Sequence, residues 1–503
     1  MRMICLCLRR SHSYPRHGMA ATASTSIHKL IFGCESEPGQ PGSLSISYLT
    51  ESSHKGDSMQ SLSQNRTLHR VLILALIVAF MIIASWRFAP AYHSGLSFAH
   101  LDPFASDTSS RTNASMDAQI QTLQDQLRSQ PDDWQAYSQL GLAYLQKARE
   151  TGDPTYYQKT EEALDKALSF QSDDYAAISA KGALALARHD FASALEWAEK
   201  AKQINPSRTY AYGVIADAQI ELGHYAESAQ TLQTMVDLRP DMSSYSRISY
   251  LRELYGDTDG ALELMQLAVD SGTPNAENTA WVRTQLANLY FNMGNLDRAE
   301  LEYQRTLQDR PNYVYAIAGL GRVHAARGDR SEAIKLLNQA VDIMPMPEFV
   351  IILGDLYQAT DQQEAARQQY ELVETIEKLY RANGVDMDME IALFNADHDQ
   401  NLEETVALAR KAYANRPSIH GADALAWALY KTGDYQQAQK YSEEALQLGT
   451  KDALKLFHAG MIALELGNKV QARQYLEQSL ALNPHFSILY PDEARRALET
   501  LQP

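Results

Sequence analysis

Residue types suited to acid–base or metal chemistry gather near position 400. An aspartate stands on each side of His398, in a stretch that reads as a turn between two helices. An acidic series at Asp386, Asp388 and Glu390 precedes it, but its spacing differs from that of a calcium-binding loop. We interpret this stretch as a solvated acidic turn. A catalytic or metal-binding site within residues 386–401 stays open as a remote alternative.

Motifs that mark common enzyme classes do not occur in the sequence. H-E-x-x-H, G-x-S-x-G and the phosphate-binding G-x-x-x-x-G-K-[ST] are all missing. Gly319 and Gly321 form a G-x-G, but it lies inside a predicted helix rather than after a strand, which indicates helix packing. Cys5 and Cys7 have no further ligand at zinc spacing. We therefore expect a protein that is not an enzyme, with no catalytic residues, no metal and no cofactor.

Charge divides the chain into a basic head and an acidic body. The net charge of the 503 residues is −17, yet ten Lys/Arg and six Asp/Glu give residues 1–116 a net charge of +4. The remaining residues carry −21, which argues against nucleic acid as a partner, because a polyanion binds to a positive surface. All three cysteines lie in the head, so the body needs no disulfide to fold.

The head contains one apolar run that predicts a membrane anchor. Val71 to Trp86 is 16 residues long without a charge, and a helix of that length spans about 24 Å. Flanking arginines extend the predicted transmembrane helix to residues 71–87. A cleaved signal peptide and a buried core helix are the alternatives. Positive charges before the run predict a cytoplasmic amino end and an extracytoplasmic body, in a bacterial plasma membrane or, as an alternative, an organelle inner membrane.

The rest of the head is predicted to be without a fold. Residues 1–58 lack helical periodicity and read as a disordered leader, which is not part of the natural chain if translation begins at Met59. Residues 59–70 then form a short basic cytoplasmic tail. Residues 88–116 mix Pro, Gly, Ser and Thr, and predict a flexible stalk.

The body repeats itself with a period near 34 residues. Turn glycines recur at Gly223, Gly256, Gly294, Gly328, Gly433 and Gly467. Prolines that close a helix recur at Pro206, Pro240, Pro311, Pro345, Pro417 and Pro484. Each period reads as an amphipathic helix, a glycine turn, a second helix and a terminating proline. Such a period predicts a solenoid of stacked helical pairs.

The repeat resembles the tetratricopeptide repeat family. Leu140-Gly141-x-x-Tyr144 and Leu353-Gly354-x-x-Tyr357 match the family's first helix, and Ala299-x3-Tyr303 and Ala333-x3-Leu337 match its second. The resemblance implies an all-α, right-handed superhelical solenoid of about ten helix pairs, preceded here by the single transmembrane helix. In this solenoid the first helices would line an open concave groove.

Irregularities in the period suggest subdivisions of the array. We expect a larger part at 117–383, a smaller part at 384–485 with a joint near Asn383–Asp388, and a capping helix within 486–503. About seven extra residues around Ala148–Tyr156 are expected between the two helices of the first unit.

The resemblance also implies which side chains face the groove. These are Tyr210, Asp217, Tyr250, Trp281, Asn288, Phe291, Arg322, Asp355, Trp427 and Tyr430. Aromatic rings beside amides and charges suit peptide recognition, although packing in the repeat core is the alternative for each ring. Thr284 stands where the family's chaperone-tail clamp has lysine, so we do not expect chaperone-tail binding.

The leading functional hypothesis is a membrane-tethered scaffold that binds a protein or peptide in its groove. The acidic body suggests a partner with a basic segment, and we expect neither nucleic acid nor a small-molecule substrate. The alternative is an assembly factor for a membrane complex, similar to those of cytochrome c maturation.

Overall fold

The computed structural model describes residues Met116–Leu501, and all of its regular elements are helices. The helix α1 covers Met116–Ser129, and the last, α22, covers Pro491–Thr500. Between them lie ten helical hairpins, which we number units 1 to 10.

The first five units form what we call the first coil. They are α2 (Trp134–Thr151) with α3 (Thr155–Phe170), α4 (Tyr175–Ala187) with α5 (Phe191–Ile204), α6 (Thr209–Glu221) with α7 (Tyr225–Leu238), α8 (Met242–Leu254) with α9 (Thr258–Asp270), and α10 (Glu277–Asn292) with α11 (Leu296–Asp309).

The last five units form the second coil. They are α12 (Val314–Ala326) with α13 (Arg330–Ile343), α14 (Pro347–Gln358) with α15 (Gln363–Ala382), α16 (Asp388–Asp397) with α17 (Leu402–Asn415), α18 (Ile419–Lys431) with α19 (Tyr435–Ala445), and α20 (Ala453–Glu465) with α21 (Lys469–Leu482). The prediction of about ten helix pairs is confirmed.

Most hairpins share the same local chemistry at the turn. In seven of the ten units a turn glycine adopts a left-handed conformation, as at Gly328 with φ +84°, which a residue without a Cβ reaches at low cost. In several units the following residue caps the second helix, as Asp329 does by accepting from the backbone N–H of Glu332. Units 2, 7 and 8 lack the glycine, and there His189, Asp361 and Asp399 take positive φ values instead.

Small residues let the paired helices approach closely. A Cβ on Gly319 would lie 2.3 Å from the Tyr303 ring, and one on Gly321 would lie 2.9 Å from Leu337. The G-x-G therefore serves helix packing, as its place inside a helix predicts. Ala333, which sits between these contacts, is fully buried.

Two irregular regions differ in how well they were predicted. The extra residues of unit 1 do not form a loop, because α2 continues to Thr151 and α3 begins at Thr155, so they lengthen the helix by a turn. The helix before the joint, α15, is 20 residues long. Val385 and Met387 in the joint are buried among core side chains, so the packed core continues across it.

The two coils stack on each other in a regular register. Each turn within units 1 to 5 contacts the junction that follows the unit five places later. The pairs are Gly152 with Met344, Arg188 with Asn383, Gly223 with Pro417, Gly256 with Gly449, and Gly294 with Leu482. Five units therefore complete one superhelical turn, and we call this line of contacts the seam.

Main-chain atoms carry much of the seam. The backbone N–H of Asp386 donates to the carbonyl of Arg188 at 2.9 Å, and that of Ile419 donates to the Tyr225 hydroxyl at 2.7 Å. Asn483 Nδ2 donates to the carbonyl of Phe291 at 3.0 Å. Each of these three contacts has a main-chain atom on at least one side, and two of them also need a particular side chain, that of Tyr225 or Asn483.

None of the helices within the described residues is both long and apolar enough to cross a membrane. The predicted anchor at 71–87, the leader, the tail and residues 88–115 of the stalk lie outside the described residues.

Candidate functional site: the lumen

Stacking of the two coils along the seam narrows the predicted open groove. A cavity of about 840 Å³, which we call the lumen, lies inside the two coils. First helices of the first coil form most of its wall, as predicted, and junction residues of the second coil, including Thr450, Lys451 and Asn483, cover part of it. The predicted groove is therefore partly covered, because five units complete a turn and bring the second coil over the first.

Six of the ten predicted groove residues line this lumen. They are Asp217, Tyr250, Trp281, Asn288, Phe291 and Arg322. They come from the successive first helices α6, α8, α10 and α12, which are stacked so that inward positions recur once per unit. Their position in the wall does not test whether they bind a partner, so that role stays a prediction.

An ion pair joins two neighbouring first helices in the wall. Arg247 Nε lies 3.0 Å from both carboxylate oxygens of Asp217, and the same guanidinium donates to the Ser243 hydroxyl at 2.6 Å. Burial raises the pKa of Asp217, although Arg247 works against this effect. The pair fixes both side chains and satisfies much of their hydrogen-bonding capacity.

An aromatic and amide surface follows along the wall. The Arg322 guanidinium lies 4.2 Å from the centre of the Phe291 ring, which is 4% exposed. Asn288 Oδ1 accepts from the Tyr303 hydroxyl at 2.6 Å, and its amide nitrogen donates to Gln285. Trp281 is half-buried and packs against both neighbouring core clusters. This surface offers ring faces, an amide and a cation to an occupant.

The opposite part of the lumen is polar and spans the seam. The Tyr250 hydroxyl of the first coil lies 3.1 Å from His420 Nε2 of the second. Burial lowers the pKa of His420 well below its usual value, and the nearby cations Lys455 and Arg416 add to this effect. His420 is therefore neutral near pH 7, and the contact is an uncharged hydrogen bond.

Glu253 is a titratable group of this polar part. Burial raises the pKa of its carboxyl group to about 7, against an opposing hydrogen bond from Asn292. Nearby, burial also acts on Asp452, but the ammonium of Lys455 at 2.5 Å lowers the pKa of Asp452 to about 2. Glu253 thus exchanges its proton in the physiological range while Asp452 stays charged.

Sequence reasoning missed lumen residues that are held by contacts between distant units. Arg149 of unit 1 forms an ion pair with Glu277 of unit 5, and Thr450 donates to the carbonyl of Leu254. Neither position is marked by the repeat pattern, because each acts through a contact between units far apart in the chain.

Four predicted groove residues do not line the lumen. Trp427 is 1% exposed, stacks on His458 at 4.1 Å between ring centres and donates to Asp397, so its assignment as an exposed groove ring is wrong. Tyr430 stacks on Trp427 at 4.7 Å. Tyr210 is buried in the core between units 2 and 3. These rings fill space between helices instead of facing the interior.

Asp355, the fourth of them, is buried and forms part of the polar stretch near residue 400. His398 places Nε2 at 2.9 Å from Asp355 Oδ1 and Nδ1 at 2.7 Å from the carbonyl of Phe394. Burial alone would lower the pKa of His398, but the Asp355 carboxylate outweighs it and the pKa is raised. Asp397 accepts from Tyr490 at 2.7 Å and from Trp427. These groups are engaged in packing. The prediction of a solvated acidic turn is therefore wrong for them.

No group of side chains suited to holding a metal ion is found within residues 116–501.

Comparisons with known proteins identify the repeat. A sequence model of the tetratricopeptide repeat matches residues 284–345 and 424–485, so the chain contains tetratricopeptide repeats. The described residues form an all-helical solenoid of this kind. No curated protein sequence matches the chain.

Several solved structures are similar to parts of the chain. The human IFIT1 dimer with PPP-AAAA is 14% identical, covers 66% of this chain and 77% of its own, and gives a TM-score of 0.42. TTC0263 from Thermus thermophilus, a thermophilic tetratricopeptide repeat protein, is 21% identical over 36% of this chain and 94% of its own, with a TM-score of 0.33. The Cut9–Hcn1 hetero-tetramer is 11% identical over 77% and 90%, with a TM-score of 0.35.

Proposed function

We propose that this chain of tetratricopeptide repeats is a protein-interaction scaffold that binds an extended polypeptide segment inside its lumen. The observation that carries the proposal is the convergence of Trp281, Asn288 and Arg322 on one cavity. Ring faces give contact area at low entropic cost, while amide and guanidinium groups bond to a peptide backbone or a carboxylate.

The size of the lumen decides which form of partner fits. A volume of about 840 Å³ lies in the range of about 300–1,000 Å³ that encloses a small ligand. It admits a few residues of an extended chain and excludes a folded domain. A partner would therefore present a terminus or a loop.

The charges of the lumen wall bear on the predicted basic partner. Asp217 is paired with Arg247, and Glu221 is paired with Arg416. Arg322 forms no ion pair within the described residues, and Lys451 contacts only the Thr258 hydroxyl there. We infer that the segment inside the lumen is neutral or acidic, and that a basic segment would bind the acidic outer surface.

We further propose that the scaffold is tethered to a membrane through residues 71–87, with the body extracytoplasmic. The support is the uncharged run Val71–Trp86 and the excess of positive charge before it. The scaffold carries no reaction of its own in this proposal. The assembly-factor role stays a prediction that partner identity would decide.

Site-specific photocrosslinking tests the proposal. A photoreactive residue replaces Gln285 in the lumen wall in one variant and the exposed Gln304 on the outer face of α11 in a matched control. After irradiation in cells, peptide adducts at position 285 that are absent at position 304 are expected. Equal adducts at both positions, or none at 285, would contradict lumen binding.

The volume of the lumen favours one second candidate, a small ligand instead of a peptide. An adduct of a few hundred daltons at position 285 would identify it. In the peptide case, Trp281→Ala should weaken peptide capture with little change in melting. A collapse of melting would show that this ring serves mainly the core, against which it packs in part.

A further inference from the structure

The seam uses only half of the edges that the two coils present. Turns of units 1 to 5 cover the junctions after units 6 to 10. The seam contacts described above do not include the junctions after units 1 to 5, which we call the junction edge, or the turns of units 6 to 10, which we call the turn edge. Within the described residues, no atom lies within 4 Å of a Cβ added to Gly328, Gly433 or Gly467 on the turn edge.

The junction edge reproduces the conformation of a junction inside the seam. Asn483 ends α21 with φ −152° and ψ 104°, and its side-chain oxygen accepts from the backbone N–H of His485. Asn205 ends α5 with φ −143° and ψ 90°, and its oxygen accepts from the N–H of Ser207 in the same way. Both asparagines precede a proline.

The two asparagines differ in what their amide nitrogen does. Asn483 Nδ2 donates across the seam to the carbonyl of Phe291 and is 2% exposed. Asn205 Nδ2 donates no hydrogen bond to any described residue, and Pro206 beside it is exposed. Asn205 is thus held by its own turn in the geometry that docks in the seam, without a second coil to meet.

The turn edge reproduces the other side of the seam. Ile220-Glu221-Leu222-Gly223 in the first coil and Leu464-Glu465-Leu466-Gly467 in the second have nearly the same sequence, and both glycines have φ +75°. Glu221 pairs with Arg416 across the seam, whereas Glu465 reaches no such partner among the described residues. Arg239-Pro240 on the junction edge repeats the dipeptide Arg416-Pro417, and Arg239 is exposed although its Nε lies 3.0 Å from Asp241.

We propose that a second copy of this chain docks its junction edge on the turn edge of the first, and so continues the seam between molecules. The two edges are complementary to each other and not to themselves, so the contact is head-to-tail. A head-to-tail contact that does not close into a ring adds further copies in a row. The seam shows in five successive places how such edges fit.

Sedimentation velocity of the full chain in a mild detergent tests this inference. The junction-edge variant combines Asn205→Ala with Arg239→Ala, and the turn-edge variant is Glu465→Arg, so that the two altered edges are not complementary to each other. The wild type should form species that grow beyond a dimer as concentration rises. Each variant alone should stay monomeric, because each lacks one of the two edges.

A mixture of the two variants gives the deciding measurement. Each variant keeps the edge that the other lacks, so an equimolar mixture should form a dimer that grows no further. Monomers in the mixture, a monomeric wild type, or association that neither variant weakens would overturn the proposal. The last of these results would place the contact in another part of the chain, such as the apolar run 71–86.

Matched controls come from neighbouring apolar residues that the seam leaves exposed. Leu238 on the junction edge is 44% exposed, and its counterpart Ile343 stays 45% exposed inside the seam. Val470 beside the turn edge is 85% exposed, and its counterpart Ala226 also stays exposed. Leu238→Glu and Val470→Glu should therefore leave association unchanged. Loss of association in either would mean that an apolar patch, not the repeated seam geometry, holds the copies together.

Discussion

The turn glycines of the two coils have the same conformation and different surroundings. A Cβ on Gly223 of the first coil would lie 2.5 Å from the carbonyl oxygen of Pro417, whereas a Cβ on Gly467 of the second coil would meet nothing within 4 Å among the described residues. Both have φ +75°. In the second coil glycine is needed only for its backbone conformation. In the first coil it also makes room for another part of the chain.

The contrast separates local from global determinants of the fold. A hairpin is specified within one period, by its turn glycine, its cap and its small packing residues. The seam arises only when the rotation between neighbouring units has accumulated over five of them. Variants that test the seam should therefore have unequal effects at positions that the repeat makes equivalent.

The largest difference in lost unfolding free energy is expected between Gly256→Ala and Gly467→Ala. At Gly467 the left-handed backbone alone should cost about 1–2 kcal/mol of unfolding free energy. At Gly256 the new Cβ would also lie 2.3 Å from the Gly449 carbonyl oxygen, which adds about 1–3 kcal/mol of overpacking. Chemical denaturation followed by circular dichroism measures both.

Gly328→Val should lose stability for the same reason as Gly467→Ala. Its φ is +84° and its surroundings are open, so strain alone should reduce stability, by about 1 kcal/mol or more. Equal losses in Gly256→Ala and Gly467→Ala would mean that the coils are not stacked in solution. Unchanged stability in Gly328→Val would contradict its role as a left-handed cap.

A smaller effect is expected where the second coil closes over a carboxyl group of the first. The pKa of Glu253 is raised by burial from 4.5 to about 7, so the folded protein holds the extra proton between these values. Stability from this group is therefore present below about pH 4.5 and is lost as pH rises to 7. We expect a loss of about 2 kcal/mol, reduced from the full linkage value by solvent in the lumen.

Glu253→Gln tests the origin of this pH dependence. The variant keeps the shape of the side chain and cannot ionise, so its denaturation midpoint should fall less between pH 5 and pH 7.5 than that of the wild type. The same slope in both proteins would show that Glu253 is not buried by the second coil, and that another group titrates in this range.

The sequence predicted the hairpins and part of the lumen wall. Gly328 and Asp329 mark a turn within one period, and Trp281 and Asn288 face inward because the first helix repeats its orientation. Trp427 occupies the same kind of position but meets Tyr490 beside the capping helix α22, at 5.6 Å between ring centres. Its burial depends on a neighbour outside the repeat. The partly covered lumen depends on the pitch of the whole array, for which no single residue is a signal.

The smallest difference in lost unfolding free energy is expected between alanine substitutions of two asparagines with similar backbone geometry. Asn483→Ala removes one intraturn hydrogen bond and the bond across the seam to the Phe291 carbonyl, whereas Asn205→Ala removes two intraturn bonds, from the backbone N–H and the hydroxyl of Ser207. A Ser207→Ala background for Asn205→Ala removes the hydroxyl bond beforehand, so that each substitution then costs one bond within its own turn. The Phe291 carbonyl also accepts from the backbone N–H of Gly294, so loss of the seam bond should make the difference only about 1 kcal/mol. Denaturation of both variants in dilute solution then isolates this one contact. Equal losses would assign the effect of Asn483 to its own turn and leave the seam to other contacts.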